Sequence, residues 1–448
     1  MRSGGYILLL AAVAWFTMGC SSGDGTPIEP YVPEAQQQAQ QEQESVADAD
    51  AGQAEEPPAA EETSETQESA EPASQVSSLH FSHALLGTLK GDGNIFYSPY
   101  SIAGALALAD AGAVGDTKKE LEAALGIADI TEYEKAYKEY ISRERGEGAV
   151  LTTANGIWLE ETLPLAEDFE TNYRQQAEEY FNAGIEKADF KGNLEAVKQD
   201  ISGWVQEKTE GMIEDYKSAC DENTAMDIIN AVYFYGEWQE PFSAGDTAEE
   251  TFKGISGEKA VDMMNMSRED KRYLKDYNGI TALAVPYKDE SLEMDILMTA
   301  DEAAANEVLS TVKALSEQEL EGLFDSLDSA PLSNITRFSL PKFTMDETFP
   351  ELDKTLKEVG IKRAFEGSDE FSGIARDICI SRVNHRAKLE VDEEGSRAAA
   401  VTEVVLEVTS VLPQPAEEIE FIVNRPFVFF IRDNSADNIL FTGYVRDL

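Results

Sequence analysis

A chain of 448 residues, 42% of them hydrophobic, holds enough apolar material for a sizeable core, as one large domain with additions or as two to three ordinary ones. Its 86 acidic and 36 basic residues leave a formal net charge of -50, which argues against nucleic acid and polyanions such as heparin as partners, because their phosphates and sulfates need a positive footprint. With three histidines (His80, His83, His385), three cysteines and neither a CxxC nor an HExxH spacing, no metal and no cofactor is expected.

The chain opens with Arg2 and an apolar run from Tyr6 to Phe16. These are the n- and h-regions of a targeting segment, shorter than the roughly 20 residues that span a bilayer. Thr17, Met18, Gly19 and Cys20 follow, and this stretch resembles the lipobox of prokaryotic lipoproteins. The resemblance implies a signal peptide over 1–20 and a lipid anchor on Cys20, although Thr17 stands where leucine is usual. It implies an extracellular protein tethered to a cell-surface membrane. A plain secretory signal cleaved near Gly19 or Ser22, giving a secreted protein, is the alternative. Residues 21–76 are rich in Glu, Gln, Ala, Ser and Pro and hold no Lys or Arg. Such a segment buries too little to offset its ordering entropy, so it is expected to be a disordered acidic linker.

The folded domain is expected over 77–448. Residues 78–89 carry apolar side chains at helical spacing. Pro99 opens a second, small and apolar helix that reads as buried, and Gly112 and Gly115 close it. Asp116 or Thr117 is the expected cap of the next helix. The run from Thr152 reads as a strand, and 194–213 as an amphipathic helix ending at Gly211. Residues 227–238 read as a strand with a turn near Gly236. Two strands around a loop are expected over 282–298, a strand broken by Pro341 over 335–345, and two closing strands joined by 434–438. Helices first and strands later, without βαβ regularity, indicate an α+β fold. Cys220 and Cys379, far apart, are expected as free buried thiols, with one bridge as the alternative.

Several stretches then fall into a familiar order: NIFYSPYSIAGALALADAGAVGDTKKEL from Asn94, NAVYFYGEWQEPFSAGDTAEETF from Asn230, LPKF from Leu340, DEFSGIA from Asp369, SRVNHRAKLEVDEEG from Ser381 and VNRPFVFFIRDNSADNILFTGYV from Val423. Over its whole folded part the chain resembles a serpin, a serine protease inhibitor, of a prokaryotic lipoprotein type. The resemblance implies three β-sheets surrounded by about nine helices, a metastable native state and an exposed reactive centre loop that serves as protease bait. After cleavage the loop enters the main sheet as a new strand and drags the acylated protease with it. Residue by residue, it implies shutter and breach roles for Ser98, Ser101, Asn230, Trp238 and His385. It implies a hinge over Gly395, Ser396, Arg397, Ala398, Ala399 and Ala400. Arg397 departs from the family's usual glutamate, and Ser202 stands where the family carries asparagine.

The loop itself can be read physically. An inserting strand needs its backbone donors, and 395–412 holds no proline before Pro413. Its alternation puts Ser396, Ala398, Ala400, Thr402, Val404, Leu406 and Val408 on one face and every charge on the other, expected to be wet. Thr402, Val404, Leu406 and Val408 form the expected inserted face. An ordinary strand fits the same alternation. Family spacing puts the reactive bond at Thr409–Ser410, with Val411 or Leu412 open as alternatives. No Lys or Arg lies between Arg397 and Arg425, so bait for a trypsin-like pocket is disfavoured and an elastase- or subtilisin-like serine protease fits. A cysteine protease target, or a non-inhibitory serpin acting as a binding module, is the alternative. No hydrolase motif surrounds Ser98 or Ser101, so the chain is not expected to be an enzyme. A monomer is expected.

Overall fold

In the computed structural model, which describes residues 78–267, 269–349, 352–367, 369–396 and 418–448, helices crowd the first part of the chain and strands the rest. The opening helices are α1 (Leu79–Thr88), α2 (Pro99–Asp110), α3 (Gly115–Leu125) and α4 (Ile130–Ser142), with the short strand β1 (Ile95–Tyr97) between the first two. Pro99 sits at the first helical position of α2, and Ser98 caps it by accepting the Ser101 N–H at 3.1 Å. Every residue of α2 is buried, which explains its lack of a polar face. Gly104 lets α4 approach, since a Cβ there would lie 2.2 Å from the Tyr137 hydroxyl. The expected cap of α3 is corrected. Val114, which has no side-chain acceptor, occupies the cap position. Glu370 supplies the missing acceptor, taking the Thr117 N–H at 2.8 Å and the Thr117 O–H at 2.6 Å.

Then come β2 (Ala149–Glu160), α5 (Tyr173–Phe181), β3 (Gly184–Ala188), α6 (Leu194–Lys208) and β4 (Met226–Glu237). β4 runs straight through Gly236, where the sequence suggests a turn. The chain continues with β5 (Ala248–Gly254), β6 (Gly257–Met266), β7 (Glu269–Tyr277), β8 (Ile280–Pro286) and β9 (Leu292–Thr299). After α7 (Val308–Lys313) and α8 (Glu317–Asp328) come β10 (Leu332–Pro341), β11 (Phe343–Thr348) and α9 (Leu352–Glu358). The last strands are β12 (Arg382–Val391), β13 (Gly395–Ser396), β14 (Ile419–Ile422), β15 (Phe427–Asp433) and β16 (Asn438–Val445).

The fold is α+β, with nine α-helices among the described residues. One sheet has six strands in the order β11-β12-β13-β4-β2-β3. The second follows the path β1-β16-β15-β9-β8-β7-β10-β6-β5, with β14 added on β10. This second sheet changes partners at β7, which meets β8 through Tyr273, Leu274 and Tyr277 and β10 through residues 269–272. The expected three sheets are thus one six-stranded layer and two strand groups joined at β7.

Aromatic side chains fill the space between the layers. Phe234 of β4 meets Phe441 of β16 at 5.6 Å, and Phe343 of β11 meets Phe427 and Phe429 of β15 at 5.8 Å each. On its other face the six-stranded sheet is covered by α6, whose Val197, Ile201 and Val205 cluster with Trp158, Ile229 and Ala231. β4 is therefore buried on both faces from Met226 to Val232. A strand so placed reads as a continuous apolar run, as MDIINAV largely does.

Candidate functional site

The site is a seam between two parallel strands. Residues 227–233 of β4 pair with 382–388 of β12, with His385 opposite Asn230. Beyond Lys388 the strands part, and Gly395–Ser396 enters between them, antiparallel to both: Gly395 opposes Glu237, and Ser396 opposes Gly236 and Val391. The seam is closed along one length and already holds two residues of a further strand at its open end.

Gly395 is fixed there by close approach. It does not adopt a left-handed conformation. A Cβ at this position would lie 2.0 Å from the Gly236 carbonyl oxygen and 2.8 Å from the Glu237 Cα. The pivot expected from sequence is therefore a backbone-to-backbone contact, and the turn proper lies just before it. There the Asp392 carboxylate accepts the N–H groups of Glu394 at 3.0 Å and Gly395 at 3.2 Å.

Trp238 lines the open end. Its ring stacks on Tyr287 with centroids 4.7 Å apart, and its indole N–H donates to the Asp392 carbonyl at 3.0 Å. The Tyr287 and Ser396 hydroxyls are bonded to each other at 2.9 Å, and burial pushes the Tyr287 phenol up, so it stays neutral. The turn is tied down by Glu393, which accepts from Lys342 at 2.7 Å and Thr247 at 2.7 Å.

Deeper in the seam, Ser98, Ser101, Asn230 and His385 come together. The Ser98 backbone N–H donates to His385 Nε2 at 3.0 Å. Nε2 is therefore the unprotonated nitrogen, and Nδ1–H donates to Asn230 Oδ1 at 2.5 Å. The Asn230 amide nitrogen faces the Ser101 hydroxyl at 2.7 Å, the Ser101 carbonyl at 3.0 Å and Asn155 Oδ1 at 2.8 Å. Asn155 in turn donates to the Tyr137 hydroxyl at 3.0 Å. Complete burial lowers the His385 pKa to about 3, so the ring is neutral. Trp238 belongs to the open end and not to this network.

One expectation fails for a stretch of the seam. A strand entering here was expected to keep one wet face, yet Ile229 and Ala231 on the outer face of β4 are packed beneath α6. Asn155, Tyr287, Asp227 and Asn384 were missed from sequence. The signal for Asp227 was a charge inside an otherwise apolar strand, fully buried in the structure. Cys220 and Cys379 are both free, the first buried and the second partly exposed. Cys20, Arg397, Ala398, Ala399, Ala400, Thr402, Val404, Leu406, Val408, Thr409 and Ser410 lie outside the described residues.

A family model described as serpin (serine protease inhibitor) matches residues 77–448. The chain is 32% identical to the leukocyte elastase inhibitor of Bos taurus, over 78% of this chain and 92% of that protein. It is 32% identical to an uncharacterized serpin-like protein of Thermococcus kodakarensis, over 81% of this chain and 83% of that one. Among solved structures it resembles the thermophilic serpin tengpin in the native state, with a TM-score of 0.73 and 29% identity, over 83% of this chain and 93% of that one.

Proposed function

Because this chain belongs to the serpin family, we propose that it is an irreversible suicide-substrate inhibitor of an elastase- or subtilisin-like serine protease. The observation that carries this reading is the pair Gly395–Ser396 seated between β4 and β12. The seam opens at the place where the loop begins and is held shut below it. Ser396 points into the core at Tyr287. A strand continuing in the same register would therefore turn even-numbered residues toward the core. These are Ala398, Ala400, Thr402, Val404, Leu406 and Val408, the small-to-branched set of the sequence.

In this reading the protease attacks the Thr409–Ser410 bond and forms an acyl-enzyme on Thr409. The freed segment then enters the seam, displaces β12 from β4 and carries the protease away from the loop's starting position. Deacylation fails because the catalytic geometry is lost. The absence of cations from 398 to 424 suits small or medium apolar specificity pockets. The protein acts as a monomer at a cell surface, tethered through lipid on Cys20.

The test is incubation of the purified chain with a protease panel. An elastase- or subtilisin-like enzyme is expected to form a complex that survives boiling in detergent, with release of a C-terminal peptide starting at Ser410. Simple cleavage by every enzyme, with no trapped complex, overturns the reading. For the tether, Cys20→Ser is expected to release the protein from membranes, and unchanged retention rules the anchor out.

A further inference from the structure

A cavity of about 520 Å³ lies outside the seam, where the end of α1, β1, the end of β11 and α9 meet. Sites for organic ligands run from roughly 300 to 1,000 Å³. Buried Leu89, Phe96 and Phe349 and partly buried Ile95 give the cavity an apolar floor. Its wall is already in place. The turn over 89–94 is built round Gly91, which has φ +72° and where a Cβ would lie 2.8 Å from Leu309 Cδ2. Lys313 donates to the Leu89 carbonyl. Asn94 Oδ1 accepts the N–H groups of Arg446 at 2.8 Å and Asp447 at 3.0 Å, and Arg446 Nη1 donates to the Asp92 carbonyl at 2.6 Å. Phe349 is fixed as well: its N–H donates to the His385 carbonyl at 3.0 Å, and its ring meets Tyr97 edge-on at 5.1 Å.

At the rim stands a carboxylate that nothing answers. Glu347 of β11 lines the cavity and is half-buried, yet among the described residues its side chain makes no hydrogen bond and no ion pair. Burial, and then the neighbouring Asp346 carboxylate, raise its pKa. Asp346 itself is answered, since Arg386 donates to it at 2.9 and 3.0 Å. Two lysines also line the cavity, but Lys90 points its charge into solvent and Lys354 has a partner of its own. Asp92 and Glu358 add two further carboxylates to the lining, so acids outnumber bases there. A partly desolvated carboxylate without a cation is an unfavourable arrangement, and a bound cation relieves it.

We propose that this cavity binds a small organic cation, an amine carried on an apolar body, with Glu347 pairing with the charge and Leu89, Ile95, Phe96 and Phe349 receiving the body. The ammonium N–H groups supply the donors that Glu347 lacks, and a charge-assisted bond of this kind is about twice as strong as a neutral one. An anion of the same shape would meet the Glu347 carboxylate in a chain of net charge -50. The site stands independently of the insertion reading, because no part of the bait loop enters it.

The experiment titrates the full chain with three probes of one shape: phenylbutylamine, phenylbutanol and phenylbutyrate. Binding is read near neutral pH by calorimetry and by the rise in melting temperature that a ligand of the native state produces. The amine is expected to bind about tenfold more tightly than the alcohol, and the acid most weakly. Glu347→Gln is expected to bring the amine down to the alcohol's level, which separates this site from the many other carboxylates on the surface. Thr355→Trp, which sets an indole into the cavity from α9, is expected to abolish binding of amine and alcohol alike. Amine binding that survives either variant unchanged overturns the proposal. So does a parent that binds no amine, or one that binds the acid most tightly. If Thr355→Trp does not fold, Glu347→Gln decides.

Discussion

Two buried titratable side chains sit on the two strands of the seam and respond to pH in opposite directions. His385 is held neutral, its pKa lowered by burial to about 3 from an ordinary 6.5. Its contribution is fully present above pH 6.5 and is lost as pH falls toward 3, because the unfolded chain then binds a proton that the native state refuses. Asp227 is the reverse case. Burial raises its pKa to about 7 from 3.8, against the opposing pull of Ser218, Arg382 and Asn384. Its contribution is present below 3.8 and is lost as pH rises through 7. Asp110, raised by burial to about 6, adds to the same slope as Asp227. Asp227→Asn should therefore change the pH profile and not only the stability. Measured by urea unfolding from pH 4 to 7, the parent should lose ground to the variant by about 1.4 kcal/mol per pH unit. A difference that does not change with pH would show that Asp227 does not titrate in this window. The seam histidine and its serine and asparagine partners were legible in the sequence only through the family resemblance. Asp227 and Asn384 were not, because a charge in an apolar strand shows its purpose only once the opposite strand is in place.

Among the elements, the long ones were legible and the shortest was not. β8 and β9, or β15 and β16, have enough length for a pattern and a polar turn between them, so their pairing follows from sequence. β13 has two residues and no period, and nothing local indicates that it pairs on both sides. The cap of α3 was illegible for a related reason: Glu370 lies 253 residues from the Thr117 that it caps. Gly395 was identified as a glycine that mattered, but the reason is its neighbour's backbone. Gly395→Ala tests this directly. The added methyl has no room beside Gly236, so β13 should leave the seam at a cost of about 1–3 kcal/mol, as for other overpacked sites. With Ser396 withdrawn from Tyr287, the stacked pair Trp238–Tyr287 meets water, and tryptophan emission should shift to the red. Unchanged emission together with unchanged stability would mean that β13 does not occupy the seam in solution.

At the scale of the whole molecule, the six-stranded sheet is divided against itself. β4 and β12 run parallel along 227–233 and 382–388, the only described parallel contact in that sheet besides β2–β3. Antiparallel pairing is somewhat more stable per residue. A strand entering from the Gly395 end would replace one parallel interface with two antiparallel ones. It would also bury Val404, Leu406 and Val408 at roughly 1.5–3 kcal/mol each. Cleavage at Thr409–Ser410 should therefore raise the melting temperature by on the order of 10 °C, since each kcal/mol moves a domain of this size by ~2 °C or less and the new backbone bonds add to the apolar gain. Proline at position 400 separates this from general stiffening. It removes one ladder donor and places a ring where a strand neighbour must approach. Ala400→Pro should leave the intact molecule's melting temperature unchanged, since the substitution lies beyond the pairs that β13 makes. The same variant should be cleaved as an ordinary substrate, form no detergent-stable complex and gain little stability on cleavage. Trapping at the parent's yield by this variant would mean that the protease is held without the loop entering the sheet, and the seam would then need another purpose.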